Sequence, residues 1–198
     1  PVADAVRLSN LADRTAAGDP VASLMHELQR ERDRTAGFIV AAGITGGGNT
    51  PAGDALTAAL DTDRKVVDAA VTEVRRRPPA TGSSQNRIND AVDELAQLRA
   101  AVENGGLRQR AVFDQYTKII ETMLDVLLDS TVAGASAALN AELAQNFRSL
   151  SSLYRLEELE AQIRGRLYAI ATATVFGPGE FQAFADLRAQ RAQAIAQF

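Results

Sequence analysis

Apolar residues recur at intervals of three, four and seven along almost all of this 198-residue chain, and no segment alternates apolar with polar residues. That spacing belongs to helices with one buried face and excludes half-buried strands. The chain is therefore expected to be all-α. Proline and glycine mark the breaks. Asp19-Pro20 and Thr50-Pro51 each place an N-cap before a proline at the first helical position, and Gly177-Pro178-Gly179-Glu180 repeats the device more weakly. Asn104-Gly105-Gly106 reads as a helix stop with a left-handed glycine. The pattern predicts helices over 3–16, 20–42, 52–77, 85–103, 107–130, 133–148, 151–175 and 179–197, the first two also readable as one bent helix. Helices of this length joined by short loops pack as antiparallel neighbours. The expected architecture is two stacked up-down four-helix bundles sharing long helices, with residues 1–198 as a single domain.

Composition narrows the function. Apolar residues make up 46% of the chain but aromatic ones only 5%, so the core must be built from Ala, Leu, Val and Ile. Lys+Arg is 21 against Asp+Glu 25, for a net charge of −4. A nucleic-acid binder is expected to show a basic face, and none is visible. Arg75-Arg76-Arg77, the one basic run, precedes Pro78-Pro79, where cations suit a helix C-terminus. No cysteine is present, and His26 is the sole histidine, off the apolar stripe and expected in solvent. Zinc sites, Ser-His-Asp triads and histidine relays all lack parts. Asp61, Asp63 and Glu73 do not have metal-loop spacing, and Gly46-Gly47-Gly48 follows no strand and precedes no Gly-Lys-Ser/Thr. Glu157, Glu158 and Glu160 read as a solvated face, and Tyr116 and Tyr168 as core residues. No set of nucleophile, base and orienting group assembles, so neither an enzyme nor a cofactor or metal is expected.

What stands out is charge on inward faces. Val21, Leu24, Leu28, Thr35 and Ile39 form a helical stripe, and where it should carry its next apolar residue it carries Glu31 and Arg32. Arg99 interrupts a second stripe, Ile88, Val92, Leu95 and Val102. Arg164 lies beside a third, formed by Leu156, Leu159, Ile163, Leu167 and Ile170, with Glu160 one turn before it. A buried charge is costly unless something pairs with it. Two readings follow. Either these groups pair with one another inside the bundle, or Arg32, Arg99 and Arg164 converge on a planar oxyanion, which guanidinium forks bind bidentately.

The run His26-Glu27-Leu28-Gln29-Arg30-Glu31-Arg32-Asp33-Arg34-Thr35-Ala36-Gly37-Phe38 resembles the ELQxERxxSAGF opening of nitrate- and nitrite-sensing domains. Leu98-Arg99, Tyr116 with Ile119-Ile120, and Glu160 through Leu167 extend the resemblance over about residues 20–198. Thr35 stands for Ser, Asp33 for a common Gly, and Ile163 for a usual Glu. The resemblance implies a helical sensor of two four-helix bundles holding a small oxyanion between them. By position it implies ligand-binding roles for Arg32, Arg99 and Arg164, with Glu31 beside them.

The Ala- and Arg-rich style further resembles the sensor regions of actinobacterial histidine kinases of the conservon type. That implies an extracytoplasmic domain of a membrane-anchored kinase, acting as a homodimer and relaying ligand binding through its terminal helices. The chain begins at Pro1 rather than Met and is expected to be a piece of a longer protein, with membrane spans outside it. Two alternatives remain: a ligand-free helical interaction module, and a cytoplasmic nitrate-responsive regulator.

Overall fold

The computed structural model describes residues 2–45, 51–77, 82–105, 107–137, 141–173 and 177–197. It contains six helices and, among the described residues, no strand. They are α1 (Val2–Thr45), α2 (Pro51–Arg76), α3 (Gly82–Glu103), α4 (Gln109–Ala137), α5 (Ala141–Ala173) and α6 (Glu180–Gln197). None of them is long and apolar enough to cross a membrane. The Gly46-Gly47-Gly48 run and the Thr50 cap lie outside the described residues.

α1 packs on α2, α4 and α5; α4 also packs on α3 and α5; and α6 packs on α5. One bundle is therefore α1–α4 and the other is α1, α4, α5 and α6. The sharing of α1 and α4 is visible in their burial. On α1 the buried positions come in adjacent pairs, Leu24-Met25, Leu28-Gln29, Glu31-Arg32 and Thr35-Ala36. On α4 they include Val112-Phe113, Ile119-Ile120, Met123-Leu124 and the run Val126-Leu127-Leu128. A helix serving one core buries a single stripe; one serving two cores buries a wider arc. α2 buries one stripe, Leu60, Val67, Val71 and Val74, and α3 buries Ile88, Ala91, Leu95, Leu98 and Val102. All of these except Leu60 join the side chains of α1 and α4 in the main core.

Several helix boundaries differ from expectation. Pro20 lies inside α1, so residues 3–42 form one helix, as the bent-helix alternative has it. Proline removes a backbone donor and crowds the preceding turn, and here Pro20 and Val21 are both buried within the helix. The expected segment 133–148 does not exist as a separate helix. Its start belongs to α4 and its remainder to α5, which runs unbroken through 148–151. No Pro or Gly interrupts that stretch, and the Ser151 hydroxyl bonds the Phe147 carbonyl within the helix. The stop at Asn104-Gly105 is found, with Gly105 at φ 69°.

Candidate functional site

Adjacent residues on α1 send opposite charges into the two bundles. Glu31 is fully buried on the α2–α3 side. Arg99 grips it with two bonds, Nε to Oε1 at 2.7 Å and Nη2 to Oε2 at 2.6 Å, and Tyr116 donates its hydroxyl to Oε1 at 2.7 Å. Arg99 also reaches Asp68 at 2.7 Å. Burial works against the charged form of Arg99, but the carboxylates of Glu31 and Asp68 hold its pKa above the ordinary arginine value. Burial, reinforced by the Glu31 charge, pushes the Tyr116 hydroxyl well above the phenol range, so it stays a donor.

Arg32, also fully buried, faces α4 and α5. Its Nη1 donates to Glu158 Oε1 at 2.7 Å and to Thr117 Oγ1 at 3.2 Å. Gln29 secures the other oxygen of Glu158 at 2.7 Å. The Arg32 guanidinium lies over the Phe113 ring at 4.6 Å, and Arg166 approaches the same ring at 4.7 Å. Cations are attracted to the ring quadrupole, and more strongly where water is excluded. Arg166 in turn bonds Glu180 in the first turn of α6 and Asp114 on α4, each at 3.0 Å. Nη2 of Arg32 is buried with no hydrogen-bond partner.

Arg164 is half-exposed on α5 and donates from Nε to Asp33 Oδ2 at 3.0 Å. Arg32 Nε approaches the other oxygen of Asp33 at 3.4 Å. Burial raises the Asp33 carboxyl above its ordinary 3.8, against the lowering pull of Arg32 and Arg164. Beside this pair opens a cleft of about 250 Å³ lined by Arg30, Asp33, Arg34, Arg164 and Tyr168. Arg30 and Arg34 are both tied to the buried Asp63 on α2. The Tyr168 ring lies against Gly37, where an added Cβ would come within 2.3 Å of it.

Of the expected ligand set, Arg32 and Arg164 come together at Asp33, whereas Arg99 is engaged with Glu31 on the other side of α1. Internal pairing accounts for Glu31 and Arg99. On α3 the predicted stripe holds at Ile88, Leu95 and Val102, but Ala91 and Leu98 face inward in place of Val92 and Arg99. Leu98 takes the core position at 3% exposure, with Arg99 at its edge. On α5 the predicted apolar stripe is not the buried one. Ala161, Gly165 and Ala169 face inward, and Leu167 is 45% exposed. Small residues let α5 approach α1 and α4 closely, which larger side chains would prevent.

Other assignments on α5 change with that face. Glu158 is the buried partner of Arg32 rather than part of a solvated face. Glu160 pairs with Arg191 rather than Arg164, and Tyr168 is 43% exposed rather than in the core. His26 is exposed as expected, 3.7 Å from Glu157. Among the described residues no cluster of His, Asp or Glu is arranged to hold a metal. Sequence reasoning missed the roles of Glu158, Phe113, Asp63 and Arg166; for Glu158 and Arg166 the available signal was a charge three residues from a small residue, Ala161 and Ala169.

A family model described as nitrate and nitrite sensing matches residues 23–198. Among solved structures, the chain is similar to that of the NasR transcription antiterminator. The TM-score is 0.64 and the identity 23%, over 97% of this chain and 51% of that one. At that identity the likeness is one of fold, and the chain spans about half the antiterminator's length. No curated protein matches.

Proposed function

We propose a function from one premise: the chain belongs to the nitrate and nitrite sensing family. It is a sensory rather than a catalytic domain. Its signal is a small planar oxyanion taken up between α1 and α5. One observation carries this reading: two guanidinium groups from different helices, Arg32 and Arg164, meet on a single planar carboxylate at the edge of a cleft. A site that holds a carboxylate in this way has the charge and the flat donor geometry that nitrate or nitrite needs. The unpartnered Nη2 of Arg32 adds a buried donor without an acceptor. Arg99 and Glu31 act at one remove, holding α1 in register against α3 so that Arg32 points at α5.

An anion can drive a receptor only by binding one packing state better than another. The contacts that support such a relay run from Arg32 through Phe113 to Arg166 and on to Glu180 at the start of α6. A change at Arg32 is thereby felt at the C-terminal helix. For the whole protein, we take the domain to be the extracytoplasmic sensor of a membrane-anchored histidine kinase that works as a homodimer. The likeness to an antiterminator favours a soluble regulator as the second reading. Hydrophobic runs of about 20 residues on both sides of the domain in the full gene would decide for the first, and their absence for the second.

The binding reading is tested by titrating the domain with nitrate, nitrite, chloride and sulfate in a thermal-shift or calorimetric assay. At about 100 times its dissociation constant a ligand adds about 2.7 kcal/mol of stability. Nitrate or nitrite should stabilise the wild type, and Arg164→Ala, at an exposed position, should lose the effect with its helical signal intact. A wild type indifferent to every oxyanion overturns the reading.

A further inference from the structure

The seat between Arg32 and Arg164 is already filled by the protein's own anion. The Asp33 carboxylate takes a bond of 3.0 Å from Arg164 Nε and one of 3.4 Å from Arg32 Nε. The carboxylate is planar and offers a pair of oxygens, as nitrate and nitrite do, so it presents to the guanidinium groups the same edge that such an ion would. Room for it depends on position 165 being glycine. A Cβ there would lie 2.2 Å from Asp33 Oδ1 and 2.8 Å from Phe113 Cε2. The fit to Arg32 is poor, because 3.4 Å is long for a charged hydrogen bond and Nη2 still lacks an acceptor. Arg30 and Arg34 line the same cleft, so a carboxylate leaving the seat stays among cations.

We propose that Asp33 is a built-in competitor, and that an incoming nitrate-like ion binds by displacing its carboxylate from Arg32 and Arg164. The proposal rests on the oxyanion-sensing reading above and adds how the site is set. A tethered carboxylate competes at high effective concentration, so it raises the threshold at which free anion is detected. The Asp33–Arg164 bond also ties α1 to α5. Exchange of a tethered anion for a free one breaks that tie and turns occupancy of the seat into a change between two helices.

The test titrates nitrate into the full chain as wild type, Asp33→Asn and Asp33→Ala, with helicity followed by circular dichroism. Both variants should bind nitrate at least ten times more tightly than the wild type. If the wild type binds and the variants bind equally or more weakly, the competitor role falls and the sensing reading stands. If only the variants bind, Asp33 is the competitor and the native chain is not a nitrate sensor. If none binds, both ideas fall. A crystal structure of the wild type with nitrate is independent of how the variants fold: nitrate bound with Asp33 still on Arg164 overturns the proposal, and Asp33 displaced supports it.

Discussion

Arg32 Nη1 donates to Glu158 Oε1 at 2.7 Å, across 126 residues of sequence, and the two side chains are 0% and 3% exposed. Removing one partner of such a pair strands the other charge in a medium that cannot solvate it, a loss of about 3–5 kcal/mol. Glu158→Ala is expected to lower the unfolding free energy by that order, read from urea denaturation. Replacing both partners with apolar residues, as Arg32→Met with Glu158→Leu, should recover part of the loss. A single variant as stable as the wild type would show that the pair is open to water.

The Tyr116 hydroxyl donates to Glu31 alongside Arg99. A hydrogen bond to a charged group contributes about 1.5–3 kcal/mol. Tyr116→Phe should cost a stability in that range by equilibrium unfolding while leaving the ring packing unchanged. A change under a few tenths would mean that Arg99 alone satisfies the carboxylate.

Gly165 sits inside a helix, where alanine is ordinarily better by about 1 kcal/mol. Here the added Cβ would meet Asp33 and Phe113, and forcing atoms into a packed interior costs about 1–3 kcal/mol. Gly165→Ala should therefore lower the melting temperature in spite of its propensity. A rise would show that α5 has room to move away from α1.

Burial raises the Asp33 carboxyl above 3.8 in the native state, so the folded protein holds that proton more tightly than the unfolded chain. The stabilising contribution of Asp33 is then full below 3.8 and is lost as pH climbs through its raised native value. The wild type should lose stability relative to Asp33→Asn as pH rises above 3.8, measured by urea unfolding at stepped pH. The opposite slope would mean that Arg32 and Arg164 outweigh burial.

Much of this was legible in the chain, but unevenly. Helical periodicity revealed the fold class, and Gly105 and Pro51 marked two ends correctly. The run at Glu31-Arg32 announced buried charge. On α3 only Val92 and Arg99 yield the core to their neighbours Ala91 and Leu98, whereas on α5 the inward face is Ala161, Gly165 and Ala169 instead of the larger apolar residues. Close packing of helices selects small residues, which a search for large apolar ones passes over. Glu158 was invisible for the same reason, since its burial follows from that choice of face.

Local sequence alone decided that the chain is helical and that α1 turns two opposite charges away from water, because helix spacing is a property of neighbours along the chain. The choice of partner belonged to the assembled bundle: Glu31 takes Arg99, Arg32 takes Glu158, and Arg164 takes Asp33. Those choices depend on how each helix is rotated and how near it comes to the next, and a desolvated charge settles on whichever counter-charge that docking brings within bonding distance.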